Sequence, residues 1–325
     1  MAFQDPNTED AILSELERKY GRRIREAFDK SVGELREEMT LEEIAEAIES
    51  RGIAAAQTIL SGEIARRAFQ RVGEEYQSAL IESGRDRADK ISGNVKGANG
   101  TVLFRFDPGN PSVAERMREG RLRLIREITG EQEQVIRNAI ADGLQRGDNP
   151  RTTARQVRES IGLTQKQEQA VRNYRRALEE GKSAALAREL RDRRFDSTVR
   201  RAIAGEVDLD QNQIDRMVER YRSRMVKHRA EVISRTETIR ALQEGREAAR
   251  DQLLEEGQIS REQVRRFWLT ARDERVRASH RQIPDMNSEG VGPDEPFQTP
   301  LGPLRYPTDP RGLPENTVQC RCAVS

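Results

Sequence analysis

"QNQIDRMVERYRSRMVKHRAEVISRTETIRALQEGREAARDQLLEE", residues 211–256, is the longest helical pattern in the chain. Ile214, Met217, Tyr221, Met225, Val232, Ile239 and Leu242 recur at steps of three, four or seven, which places them along one helix face. Gly245 is a poor helix former and marks the point where the run can be interrupted. The intervening positions are mostly charged or polar, so the stretch reads as a long helix with a narrow apolar stripe. The fold class depends on how far this texture extends.

It extends through most of the chain. Residues 7–28 put Ile12, Leu13, Leu16, Tyr20, Ile24 and Phe28 on one stripe. Thr40 and Glu43 form a capping-box pattern ahead of a second helix, and residues 54–82 read as a third. Residues 92–112, "SGNVKGANGTVLFRFDPGNPS", break the pattern, with a strand-like run from Val102 to Phe106 and a turn at "DPGNP". A second helical set follows. Gly130 separates two helices, the later one striped by Val135, Ile136, Ala139, Ile140 and Leu144. Pro150 lies near the start of a short helix, and Thr164 with Gln167 caps another that stops at Gly181.

Composition agrees with this texture. Hydrophobic residues make up 35% of the 325, charged residues 35% and aromatics 4%. That apolar share is below the roughly 45–50% of ordinary domains, so a thick aromatic core is excluded and thin-striped helices are favoured. The length suggests about two domains. The net charge is +1, so no global field points to nucleic acid, although local Arg-rich faces suit phosphates and acidic surfaces. No run approaches the ~18 apolar residues of a membrane span, and "MAFQDPNTED" is no signal peptide. A reducing compartment is expected, where cysteines are thiols or metal ligands rather than disulfides.

The texture changes after Gly257. Ser260 and Gln263 cap a short helix, "RFWLTARDERV" reads as a strand carrying the only Trp, and eight prolines from 284 to 314 exclude helix there. The tail "NTVQCRCAVS" reads as a closing strand. On a strand Cys320 and Cys322 face one side, roughly parallel and about 6.5–7 Å apart at Cα, which disfavours a mutual disulfide and suits chelation of one soft metal. His280, and Asp285 five residues on, complete a candidate Cys₂-His-Asp set for one structural zinc ion, beside the plainer reading of buried thiols. His228 reads as a partly exposed helix residue. Arg235 and Glu237, two apart, share no helix face and read as ordinary charged surface. Arg272, Asp273, Arg277 and His280 offer a possible acid–base set, and no phosphate loop or hydrolase motif is present.

Four segments carry a family likeness: "SRTETIRALQEGR" (234–246), "FWLTARDERVRASHRQIPD" (267–285), "DEPF" (294–297) and "YPTDPRGLPENTVQCRC" (306–322). In order and spacing they resemble the phage Mu F-like head morphogenesis proteins, a family of minor head proteins. Upstream residues 106–129, 141–164 and 162–178 are also similar to segments of those proteins, so the likeness spans roughly Phe106 to Cys322 and is strongest from Ser234. The family pattern falls on Arg235, Thr236, Glu237, Trp268, Arg272, His280, Asp285, Phe297, Asp309, Pro310, Cys320, Arg321 and Cys322. Gln319 replaces the usual Asn, and Met286 the usual Gly.

The combined expectation is a mainly α chain, an elongated helical body with a small C-terminal α+β module. Its divisions fall at residues 1–92, 93–112, 113–256 and 257–325. The resemblance implies a minor head protein of a tailed phage or prophage, acting in procapsid assembly near the portal. It would reside in the virion or procapsid interior after assembly in the host cytoplasm. Portal, capsid or scaffolding proteins are the implied partners, with packaged DNA a further one and no membrane. Two alternatives stand beside it: a nuclease- or transferase-like C-terminal enzyme using His280, and a DNA-binding packaging accessory.

Overall fold

The structure is a computed structural model that describes residues 6–59, 62–97 and 100–325. It is mainly α. Four long helices dominate: α1 (Pro6–Glu38), α4 (Gly62–Ile91), α5 (Pro111–Arg146) and α9 (Gln211–Glu255). Between them lie α2 (Leu41–Arg51), α3 (Ala55–Ile59), α6 (Pro150–Ser160), α7 (Gln165–Glu179) and α8 (Asp196–Ile203). Among the described residues, no helix is long and apolar enough to cross a membrane.

Several boundaries are set by the caps the sequence carries. The hydroxyl of Thr40 accepts from Glu43 N and the Glu43 carboxylate accepts from Thr40 N; Thr164 and Gln167 repeat the exchange at α7. Asn149 caps α6 with Pro150 in its first turn, and Gly181, at φ +62°, follows α7. Leu16, Tyr20, Ile24 and Phe28 of the α1 stripe are buried, whereas the side chains of Ile12 and Leu13 lie outside those described.

Two glycines behave differently from expectation. Gly130 does not separate two helices, because α5 runs through it; a mid-helix Gly costs only about 1 kcal/mol, which the buried Ile125, Ile128, Val135 and Ile136 on either side outweigh. Gly245 does not interrupt α9 either. A Cβ there would stand 2.2 Å from the carbonyl oxygen of Leu80, so Gly245 is where α9 lies against the backbone of α4.

Residues 28–70 and 126–231 form one compact unit. Within it α2 packs on α6, and Ile44, Ile48, Ala154 and Val157 of the two helices are buried. Buried Gln132 donates to Leu163 O (2.8 Å) and accepts from Gly162 N (2.7 Å), fixing the turn between α6 and α7. Tyr174 meets Tyr221 at 4.5 Å between ring centroids.

The other unit comprises residues up to 27, 71–125 and 232–325. Its connector is a hairpin of two-residue strands, β1 (Lys96–Gly97) and β2 (Gly100–Thr101). Val102–Phe106, expected as a strand, is extended and buries Val102, Phe104 and Phe106 in alternation; Val102 continues the hairpin by donating to Val95 O (2.8 Å) and accepting from Gly93 N (2.9 Å), and the stretch is not part of β1 or β2. The C-terminal module is built on one short antiparallel pair, β3 (Trp268–Leu269) with β4 (Ala323–Val324), and on single bridges Arg266–Val291 and Phe297–Leu304. Both predicted strands are thus much shorter than expected. Arg272, at φ +49°, turns the chain away after Leu269, and Gln319, at φ +54°, breaks the extended path before the cysteines. Single helical turns α10 (Ala278–Arg281), α11 (Ile283–Met286) and α12 (Pro314–Thr317) also form within or beside the proline-rich span; Pro284 and Pro314 sit in first turns, where no backbone N–H is required. Trp268, Ile283, Val291, Phe297, Leu304, Tyr306, Cys320, Cys322 and Val324 make the module's core.

Candidate functional site

The second half of α9 is where the charged-surface reading fails. Every residue from Thr236 to Arg250 is buried, including Glu237, Arg240, Glu244, Arg246, Glu247 and Arg250. Each of these charges meets a partner. Glu237 pairs with Arg240 one turn on and with Arg123 of α5 at 3.2 Å. Glu247 pairs with Arg250 (2.8 Å) and Arg266 (3.2 Å). The Glu244 carboxylate accepts from Tyr76 OH (2.6 Å) and Tyr306 OH (3.1 Å), and burial raises its pKa and those of both phenols.

This helix holds the C-terminal module by its backbone. Arg240 Nε donates to Thr308 O (2.8 Å), Arg246 to Val324 O (3.0 Å), and Gln319 N donates to Thr236 Oγ1 (3.1 Å). The last bond fixes the left-handed residue directly before Cys320. Arg277 donates to Val318 O, one residue earlier. Thr236 and the cysteine pair, far apart in sequence, therefore belong to one local structure.

At its centre His280, Cys320 and Cys322 come together, with exposures of 0, 1 and 3%. His280 Nδ1 lies 3.4 Å from Cys320 Sγ and 3.5 Å from Cys322 Sγ, and the three donor atoms all lie within 4.8 Å of one another. Both cysteines are free thiols. Cys322 N donates to Cys320 Sγ at 3.5 Å. The Cys322 thiol beside it draws Cys320 well below the usual thiol pKa; burial opposes this, and His280 lowers it further. Cys322 moves the other way, raised by its neighbour Cys320 and by burial. Burial disfavours a charged His280, but bonding to Cys320 outweighs it and raises the imidazole pKa. The Trp268 ring stands edge-on to His280 at 5.9 Å, and its buried N–H makes no hydrogen bond of good geometry while still favouring the ionised form of Cys322.

The far side of the imidazole is equally ordered. His280 Nε2 lies 2.9 Å from Asn316 Oδ1, Asn316 Nδ2 donates to Thr299 Oγ1 (2.9 Å), and that hydroxyl donates to Gly302 O (2.6 Å). Neither Asn316 nor Thr299 was singled out by the sequence reading. The only local signal was the side-chain amide four residues before Cys320.

Asp285 is not brought to this group. It is exposed on α11, and five residues along a helical path turn a side chain well away from His280. Of the other motif residues, Arg235 and Arg272 are exposed, and Arg321 pairs with Asp273 at 2.8 Å. Buried Asp309 accepts from Arg305 N (3.0 Å) and pairs with Arg311 (2.8 Å); burial works against its ionisation, but these bonds keep its pKa below normal. His228 is exposed on α9.

Residues 172–325 match the family described as Phage Mu protein F like protein. No curated protein and no solved structure matches the chain. The matched span takes in all of α9 and the whole His280–Cys320–Cys322 module. The likeness to the Phage Mu protein F like family therefore rests on residues 172–325, somewhat under half of the chain.

Proposed function

We propose that the protein is a minor head protein of a tailed phage or prophage, acting in head morphogenesis as a portal-associated component of the procapsid. The observation that carries this reading is the family match over residues 172–325. The chemistry of the centre supports an assembly role over an enzymatic one. A nucleophile or acid–base group must reach substrate, whereas His280, Cys320 and Cys322 are at most 3% exposed. One groove of about 890 Å³ is walled by Arg146, Arg155, Arg172, Arg176, Glu159 and Glu179, a lining suited to charged protein surfaces. Portal, capsid or scaffolding subunits are the partners in this reading, with packaged DNA an additional contact, and the procapsid interior is the site of action.

The test is genetic and structural. An in-frame deletion in the producing phage should collapse the infectious titre and leave aberrant or DNA-free heads. The wild-type chain supplied in trans should restore both and co-sediment with procapsids. A normal titre with normal heads, or heads that never contain the chain, would overturn the proposal. DNA contact has its own assay, a gel shift at two salt concentrations. Binding that weakens steeply with salt supports it, and absent or salt-insensitive binding removes DNA from the partners.

A further inference from the structure

The centre has a feature that hydrogen bonding among its three side chains does not satisfy. The Thr299 hydroxyl spends its proton on Gly302 O, so it can only accept from Asn316, which makes the Asn316 atom facing it the amide nitrogen. The Asn316 oxygen therefore faces His280, and Nε2 must carry the ring proton to donate to it. The tautomer assigned by this chain leaves Nδ1 with its single lone pair, directed at two sulfurs at nearly equal distance, 3.4 and 3.5 Å. One lone pair accepts one good hydrogen bond, so two thiols compete for it. A cation among the three atoms satisfies all of them at once.

The distances suit one cation in particular. Zn–S bonds of ~2.3 Å and Zn–N bonds of ~2.0–2.1 Å at a tetrahedral angle set an N···S edge of roughly 3.5–3.6 Å. Both N···S separations here, 3.4 and 3.5 Å, match that edge. Two sulfurs and one imidazole nitrogen are a borderline-soft donor set, which selects zinc over magnesium or calcium. The surroundings are also those of a metal ligand set. The distal imidazole N–H is held by an oriented amide, and a backbone N–H donates to Cys320 Sγ.

We propose that His280 Nδ1, Cys320 Sγ and Cys322 Sγ bind one zinc ion, which pins the end of the chain to α10 and to the Trp268 strand. Among the described residues no Asp or Glu joins the group, so these side chains supply three of the four ligands of a tetrahedral site. Asn316 is a positioning residue that holds the imidazole but touches no metal. This proposal does not depend on the assembly reading above.

The test uses the full-length chain. Metal analysis after purification in zinc-containing medium should find one zinc per chain. Cobalt(II) added to the metal-free protein should give a thiolate-to-cobalt charge-transfer band with d–d bands of tetrahedral intensity. Cys320→Ser and Cys322→Ser should lose the band. Asn316→Ala should keep the one-to-one stoichiometry at saturation while weakening affinity about 10–100-fold. Asp285→Asn should change nothing. A wild-type chain with only trace zinc and no cobalt–thiolate band overturns the proposal however the variants behave. Loss of metal in Asp285→Asn overturns the three-donor set, since it would make that carboxylate a ligand.

Discussion

Replacing Gly245 by Ala should destabilise the protein, although the same change in an open helix stabilises. In a helix interior, Gly to Ala gains about 1 kcal/mol from reduced freedom of the unfolded chain and better propensity. At Gly245 the new methyl would stand 2.2 Å from Leu80 O and 3.0 Å from both Leu80 C and Gly84 N. Those atoms are backbone, so no side chain can swing aside; α4 and α9 must part by about 1 Å to reach ordinary contact. The same interface carries the Ser83 Oγ to Leu242 O bond (2.7 Å) and the Tyr76 to Glu244 bond (2.6 Å), which would stretch together. Overpacking costs roughly 1–3 kcal/mol, and weakening a buried hydrogen bond about 1–3 more. A net loss of roughly 1–5 kcal/mol is expected after the propensity gain. Gly130 is the internal control. It is also mid-helix, but nothing lies within 4 Å of a Cβ there, so Gly130→Ala should gain up to about 1 kcal/mol. Urea unfolding followed by circular dichroism and by Trp268 fluorescence would measure both. Equal or greater stability of Gly245→Ala than wild type would refute the close approach of the two helices.

Two further outcomes follow from named bonds. Thr236→Val keeps the side chain's shape but strips Gln319 N of its acceptor, so it should cost about 1–3 kcal/mol and shift Trp268 emission; unchanged stability and emission would show that the turn before Cys320 does not need α9. Asp192, 2% exposed and bonded to Arg194 and Arg224, has its pKa lowered to about 2, chiefly by the Arg194 hydrogen bond. A carboxylate with a depressed folded pKa adds stability above its unfolded value that is lost as pH falls. Wild type should therefore weaken from about pH 3.8 towards 2 by an amount that Asp192→Asn lacks, and parallel acid-unfolding curves would contradict this.

What the sequence made legible was whatever is decided within a few residues. The capping boxes at Thr40 and Thr164 need partners three residues away, and the apolar stripes of α1 and α9 need only their own period. The cysteine pair is legible for the same reason: Cys320 and Cys322 are buried with less buried Arg321 between them, a period of two that does not require a long strand. Long-range partners were invisible. Glu237 reads as charged surface, and the charges beside it in α9 are satisfied by Arg123, Tyr76, Arg266 and Tyr306, none of which local periodicity can place there. Gly245 likewise looked like a break because nothing in its own segment shows the α4 backbone lying against it.

The buried arginines have a common physical cause. A module whose strands are two residues long leaves many backbone carbonyls without ladder partners, and a buried unpaired carbonyl is costly. A neighbouring helix cannot supply backbone donors, because its own N–H groups are committed along its axis. Side chains must do it, and a guanidinium carries five N–H donors on one planar fork. Arg266 alone donates to Gly292 O (3.1 Å), Arg305 O (2.8 Å) and Glu295 O. Arg240, Arg246 and Arg277 serve Thr308, Val324 and Val318 in the same way. Each buried cation then calls for an anion, which is why Glu237 lies against Arg240 and Glu247 against Arg250 and Arg266. Lysine, with a compact ammonium on a flexible stem, could neutralise the same carboxylates but could not bridge three carbonyls in one plane. The arginine-rich character of this chain, which at first suggested phosphate or acidic partners, is in its C-terminal half a substitute for β-sheet.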